Sequence, residues 1–218
     1  MMVALTFVTG LVDAASYLKL GHVFVANMTG NVVFLGFALA GASGLSSAAS
    51  LVAIGSFLIG AFGGGLLGAR RAAHRGRVLG VASAVQGTVM LVATLLALST
   101  AEPLGRDVRY ALIALLALAM GVQNASAQRL AVPELTTTVL TRTLTGIASE
   151  AGLAGGQGSK AGRRIVAIAA MLLGALAGAL LALNVSVAAA LAVALGIVLT
   201  VGLIIRVLSR HDAVWARA

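Results

Sequence analysis

A few polar side chains interrupt the long apolar stretches of this sequence, and these residues could do chemistry. Asp13 is the one carboxylate in the middle of an apolar run, and Asn124 occupies a similar place later in the chain. Ionisable groups surrounded by apolar residues commonly mark pathways for protons, ions or solutes. We interpret Asp13 either as a proton-linked or cation-binding carboxylate, or as a structural partner for an arginine or a helix end.

Two polar clusters accompany Asp13 and Asn124. The first contains four polar or small residues: Asn27, Thr29, Gly30 and Asn31. The second lies between 136 and 150, and its candidate binding residues are Thr137, Thr138, Thr141, Arg142 and Thr145. A lipid-facing helix would not tolerate this composition. Broken backbone at membrane depth is allowed only where protein or a watery cavity satisfies its amides, and Thr and Asn side chains can do so. We expect these side chains either to bind a solute or only to satisfy the polar groups of broken helices.

Helix geometry favours solute binding by the threonines. Thr137, Thr141 and Thr145 recur every four residues, so they share one face of a helix. A helix that begins inside a membrane also presents free N–H groups and a positive dipole end, which suit an anion or a carbonyl oxygen. Arg142 could bind an anionic solute, pair with Asp13, or extend to the inner surface.

The composition indicates an integral membrane protein. Of 218 residues 60% are hydrophobic and 10% are charged, and the mean hydropathy is +1.07. Soluble domains contain about 25% charged residues. The net charge of +9 does not indicate nucleic-acid binding, because the basic residues occupy short loops and the C-terminus, as in cytoplasmic loops of membrane proteins. We expect the lipid bilayer as a partner and no nucleic acid.

Charge and turn residues divide the chain into eight segments. Their approximate ranges are Val3 to Leu18, Val23 to Ala40, Ser46 to Ala69, Val78 to Leu98, Val108 to Ala127, Leu135 to Ser149, Arg164 to Leu183, and Val187 to Val207. The second segment is interrupted by Asn27, Thr29 and Asn31, and the sixth is polar. The first segment is short for a span, which suggests that a few residues precede it. It has no basic n-region or cleavage site of a signal peptide.

The segments form an internal repeat, residues 1–100 and 107–208, within a single membrane domain over 1–218. The motif that begins at Gly10 resembles the one at Gly121, and the motif at Met28 resembles the one at Leu140, with offsets of 111 and 112 residues. If the basic loops are cytoplasmic, each half crosses the membrane three times and the second half is inverted. We therefore predict an all-α polytopic bundle of two inverted repeats, each with three transmembrane helices and one re-entrant or broken helix. Eight full spans in parallel repeats is the alternative.

Other chemistry finds little support. The chain lacks cysteine and has three scattered histidines, so we expect neither a metal nor a cofactor. No nucleophile with a base can be assembled, so we expect no enzyme. The glycines from Gly60 to Gly68 and at Gly174 and Gly178 follow small-xxx-small spacing and are typical of helix packing, within the chain or in a homo-oligomer. Gln86 and Gln123 are more typical of hydrogen bonds between helices than of ligand binding.

Two stretches, TGLVDAASYLKLGHVFVANMTGNVVFLGFALAG from Thr9 and GVQNASAQRLAVPELTTTVLTRTLTGIA from Gly121, resemble the signatures of the YoaK-like bacterial membrane proteins. The resemblance implies a multi-pass protein of the bacterial inner membrane, of unknown function. By motif match, the resemblance implies a binding role for eleven positions: Asp13, Asn27, Thr29, Gly30, Asn31, Gln123, Asn124, Thr137, Thr138, Thr141 and Thr145. It does not imply one for Arg142, because a small residue is expected at that position.

From these observations we expect a transporter or channel-like permease for a small polar or anionic solute, bound at mid-membrane between two half-helices, with a cytoplasmic C-terminus. The alternative is a non-transporting scaffold or partner subunit, whose polar residues would be sealed.

Overall fold

Helices are the regular elements of this protein wherever its structure is described. The computed structural model describes residues 1–70, 75–129, 145 and 161–210. In chain order the helices are α1 (Met2–Lys19), α2 (Met28–Leu39), α3 (Ser47–Arg70), α4 (Arg75–Leu98), α5 (Arg106–Arg129), α6 (Ala161–Asn184) and α7 (Val187–Arg210).

Six of the described helices, all except α2, are long and apolar enough to cross a membrane. A 24-residue helix such as α3 is about 36 Å long, which exceeds the roughly 30 Å of a bilayer core. Large apolar side chains point outward from α3, where Leu58, Ile59 and Phe62 are 61%, 66% and 70% exposed. Such a surface is stable in lipid and not in water, so the chain is a multi-pass membrane protein. This confirms the all-helical membrane class predicted from composition.

The helix α2 differs from its sequence segment. The segment was expected to run from Val23 to Ala40, but the helix begins only at Met28 and has 12 residues. At about 18 Å it is too short to cross a bilayer. The polar segment from 135 to 149 lies outside the described residues except for Thr145, which is helical and exposed.

Glycines bring two pairs of helices into backbone contact. A methyl group at Gly60 of α3 would collide with the carbonyl of Leu118 in α5, and one at Gly174 of α6 would collide with the carbonyl of Phe7 in α1. Close approach of this kind gains dispersion contacts where no hydrophobic force joins helices. Gly60, Gly64, Gly174 and Gly178 therefore pack against other helices of the same chain, and the expected homo-oligomer stays a prediction.

Side-chain contacts show which ends of the six long helices lie together. Glu102, in the loop between α4 and α5, accepts the backbone N–H of Val187 at 2.7 Å and lies 3.7 Å from the Lys19 ammonium group. Ser46, just before α3, hydrogen-bonds with Tyr110 near the start of α5 at 3.1 Å. The ends of α1, α4 and α6 and the starts of α3, α5 and α7 thus share one end of the bundle, here called the Glu102 end. The opposite end, called the basic end, includes Arg70, Arg75 and Arg210.

Candidate functional site

The chain turns back on itself after α1 and returns along it. Gly21 and His22 adopt positive φ angles of 116° and 56°, and these angles reverse the direction of the backbone. The hydroxyl of Ser16 then donates to the carbonyl of Val23 at 3.0 Å. Residues 23–26 therefore descend beside α1 from the Glu102 end toward the middle of the bundle.

Asp13 holds the inner end of this returning segment. Its Oδ1 atom accepts the backbone N–H groups of Val25 and Ala26, each at 2.8 Å. Asp13 lies six residues before Lys19, so the segment penetrates about 9 Å along the helix axis. The carboxyl group is buried, and Oδ2 has no hydrogen-bond partner in the described part of the chain.

Asn31 and Gly30 fix the start of α2 against the same segment. The Asn31 amide group accepts the N–H of Phe24 at 2.9 Å and donates to its carbonyl at 2.6 Å. A Cβ atom at Gly30 would lie 2.6 Å from the Phe24 ring, so no larger residue fits without displacing that ring. The Phe24 ring stacks on Tyr17 of α1, with centroids 5.2 Å apart. Asn31 and Gly30 therefore position backbone, and the side-chain amide of Asn31 is already engaged.

A cavity of about 560 Å³ lies where α2 begins. Its walls come from the start of α2 and from α3 and α5, and its polar lining residues are Asn27, Thr29, Asn124 and Gln128. Asn27 occupies the N-cap of α2 without a side-chain hydrogen bond to that helix. The first-turn N–H groups of α2 consequently lack the cap that Asn usually supplies. On the other side, the wall is formed by three nonpolar residues of α3: Phe57, Ala61 and Gly65.

The structure thus brings Asn27, Thr29 and Asn124 together, and it places Asp13 behind them. Asp13 is absent from the cavity wall but holds Ala26, which is part of that wall. The Asn124 amide donates to the carbonyl of Met120 at 2.9 Å. Thr137, Thr138, Thr141 and Arg142 lie outside the described residues, so their relation to this cavity stays a prediction.

Gln123 takes part in a buried network away from the cavity. The Gln86 side chain of α4 donates to Oε1 of Gln123 at 2.6 Å. Gln123 donates in turn to the hydroxyl of Thr9 in α1 at 3.1 Å. Three helices are thereby joined through neutral side chains, the arrangement that is typical of polar groups in lipid-embedded bundles.

Sequence comparison places the chain in a family. A family profile described as "Protein of unknown function (DUF1275)" matches residues 1–204. The chain belongs to the DUF1275 family. It is 34% identical to the UPF0700 transmembrane protein YoaK of Bacillus subtilis (strain 168) over 142 residues, which are 64% of this chain. That match spans 61% of the length of the relative. The YoaK-like resemblance is confirmed, and no solved structure matches the chain.

Some residues of this DUF1275 site were missed in the sequence. Gln128 lines the cavity, and its position four residues after Asn124 puts it on the same face of α5. That spacing could have identified it. Ser16 and Met28 carried no comparable signal, because their roles depend on how the returning segment meets α1. Among the described residues, no group of three or more His, Cys, Asp or Glu side chains lies close enough to hold a metal.

Proposed function

We propose that this DUF1275 member is a transporter or channel-like permease for a small polar or anionic solute in the bacterial inner membrane. One observation carries the proposal: a cavity of about 560 Å³ lies at the uncapped start of a helix too short to span the bilayer. Free N–H groups and the positive dipole end of α2 would attract an anion or a carbonyl oxygen. Thr29, Asn124 and Gln128 add donors and acceptors around it.

The proposed binding region lies well inside the membrane. Lys19 and Ser46 lie at the two ends of the segment that contains α2, and both are at the Glu102 end of the bundle. The segment between them reaches the level of Asp13 in α1. Residues 20–46 would therefore enter and leave the membrane on one side, as a re-entrant segment. Non-helical backbone at such depth is tolerated where it is buried in protein or lines a water-filled cavity.

Matched glycine contacts support the inverted repeat that we propose for this architecture. Gly60 packs on Leu118, and Gly174 packs on Phe7. The two glycines are 114 positions apart in the sequence, and the two residues that they contact are 111 positions apart. In a second match, Gly121 packs on the carbonyl of Phe57 while Gly10 packs on that of Met171. Each half would thus use the same surfaces to hold the other.

The direction of the helices supports the same arrangement. α1 ends at the Glu102 end, whereas α5, which corresponds to it in the second half, begins there. Two equivalent helices that run in opposite directions define an inverted repeat. The positive-inside rule would put the basic end, and with it the C-terminus, in the cytoplasm.

A ligand screen on the purified chain tests the proposal. A solute that binds the cavity should raise the thermal unfolding temperature of the wild type and should be taken up by liposomes that contain it. Thr29→Val should remove both effects, since Thr29 is exposed and makes no side-chain hydrogen bond within the described residues. Thr200→Val is the control, because Thr200 is also exposed but bonds only the Gly196 carbonyl of its own helix. A solute effect that survives Thr29→Val would place binding elsewhere.

A scaffold or partner subunit is the alternative function. The sealed Gln86, Gln123 and Thr9 network favours it, because these polar groups join helices and leave nothing for a solute. A screen without stabilising or transported solutes, together with purification of a stable complex, would support the scaffold.

A further inference from the structure

A second, smaller cavity lies at the Glu102 end of the bundle. It has a volume of about 250 Å³ and is formed where the end of α1 meets the starts of α3 and α5. The polar side chains on its wall are Ser46, Arg106, Arg109 and Tyr110. On α5 the nearest lining residues of the two cavities, Ile113 and Asn124, are 11 positions apart, which is about 16 Å. The two cavities are therefore distinct.

Two arginines, Arg106 and Arg109, line this cavity, and none of its other lining residues carries a carboxylate. In the part of the chain that the structure describes, the one ion pair within 4.0 Å joins Lys19 to Glu102. Asp107, although adjacent in sequence to Arg106, does not line the cavity. Two positive charges without a carboxylate on the same cavity wall favour a bound anion. The N–H groups of a guanidinium also match the geometry of phosphate and carboxylate oxygens.

The other polar groups hold the arginines in place and add a donor. The Arg106 guanidinium carbon lies 5.6 Å from the centroid of the Tyr110 ring, and the Tyr110 hydroxyl bonds to Ser46 at 3.1 Å. The aromatic ring restrains Arg106 by a cation–π contact. Gly105, which precedes α5, supplies no capping side chain, so the positive end of the helix dipole acts in the same direction as the arginines.

We propose that this cavity binds a phosphate group through Arg106 and Arg109. The Ser46 and Tyr110 hydroxyls bond to each other, and whichever of them accepts that bond keeps its O–H as a neutral donor to the anion. The volume is below the roughly 300–1,000 Å³ of pockets for larger organic ligands and suits a single oxyanion group. The group belongs either to a free inorganic or organic phosphate or to the headgroup of an anionic lipid. The site does not depend on transport through the larger cavity.

The test measures thermal unfolding of the full chain under two conditions. In neutral detergent, inorganic phosphate is titrated at constant ionic strength, because phosphate at rising ionic strength stabilises many proteins without binding. In nanodiscs, phosphatidylglycerol is compared with phosphatidylcholine. The wild type should be stabilised by phosphate, by phosphatidylglycerol, or by both. Arg106→Gln and Arg109→Gln should each raise the half-saturating concentration about tenfold.

Two further variants keep the result interpretable. Lys19→Gln removes a positive charge from the same end but outside the cavity, so it should leave the response unchanged. Asp107→Asn removes the nearest negative charge in sequence and should strengthen the response, even if the arginine variants fail to fold. Stabilisation by phosphate identifies a free anion, and stabilisation only by phosphatidylglycerol identifies a headgroup. The proposal is overturned if neither stabilises the wild type, or if both arginine variants respond as the wild type does.

Discussion

The carboxylate of Asp13 accepts the backbone N–H of Ala26 at 2.8 Å, which ties the middle of α1 to the turn before α2. The N–H of Val25 donates to the same oxygen, so Oδ1 accepts two consecutive backbone N–H groups. The only carboxylate in the middle of an apolar run thus replaces the hydrogen bonds that a continuous helix would have provided. Without it, the backbone N–H groups of two buried residues would lose their acceptor.

Replacing Asp13 should separate its role as an acceptor from its charge. Asp13→Ala removes the acceptor of two buried N–H groups and should cost about 1–3 kcal/mol for each. Asp13→Asn keeps a carbonyl oxygen at the Oδ1 position and should cost less than half as much. Chemical unfolding of both variants in detergent measures the difference. Equal losses in the two variants would show that the negative charge itself is required.

Alanine at glycine positions should reveal which helix contacts are close. Gly60→Ala and Gly174→Ala should each destabilise the chain by about 1–3 kcal/mol, because the new methyl group would force helix backbones apart. Gly63→Ala is the control, since no atom lies within 4 Å of a Cβ built there. That variant should be neutral or gain up to about 1 kcal/mol of helix propensity. Thermal unfolding of the three variants gives the comparison, and similar losses in all of them would contradict the packing described.

The Gln86–Gln123 hydrogen bond can be measured by a double-mutant cycle. Single replacements by Leu leave one amide without its partner, whereas the double replacement removes both polar groups. The coupling free energy should be about 0.6 kcal/mol and no more than about 1.7 kcal/mol, the mean and the maximum for hydrogen bonds between membrane helices. A coupling free energy near zero would mean that the 2.6 Å contact contributes nothing beyond what each glutamine finds elsewhere.

Glu102 should matter as a helix cap more than as an ion-pair partner. Its bond to the Val187 N–H satisfies the start of α7, and losing such a cap costs about 1 kcal/mol. The pair with Lys19 is about one-third exposed on both sides, and such pairs contribute little. Glu102→Ala should therefore lower the unfolding temperature more than Lys19→Gln does. Glu102→Gln, which keeps an acceptor, should resemble the lysine variant.

The long helices could be predicted from sequence because length and hydropathy alone determine a span. Five unbroken apolar runs correspond to α3 through α7, with boundaries that shift by a few residues. The sequence predicts the first run at Val3 to Leu18, and the helix covers Met2–Lys19. Near the first polar cluster, the sequence indicates a break in the second segment but not its position. That position depends on a contact between Asp13 and Ala26 that only the folded chain creates.

The site could be predicted in its residue types and less in their roles. Asn27, Thr29 and Asn124 are predicted binding residues because they are polar groups within apolar surroundings, and the structure places all three on one cavity. The same reasoning predicts Asn31, yet both ends of its amide bind the backbone of Phe24. A side chain that binds a solute and one that binds backbone have the same composition and spacing, so the sequence does not distinguish them.

The glycine contacts between α1 and α6 affect how the chain is made. More than 140 positions separate the end of α1 at Lys19 from the start of α6 at Ala161. At about 5–20 residues per second, a ribosome needs on the order of ten seconds to synthesise that length. During this interval α1 stays in the membrane with its glycine surface unoccupied, available to chaperones, insertion machinery or another nascent chain. Biogenesis of the first half therefore ends only after most of the second half has been translated.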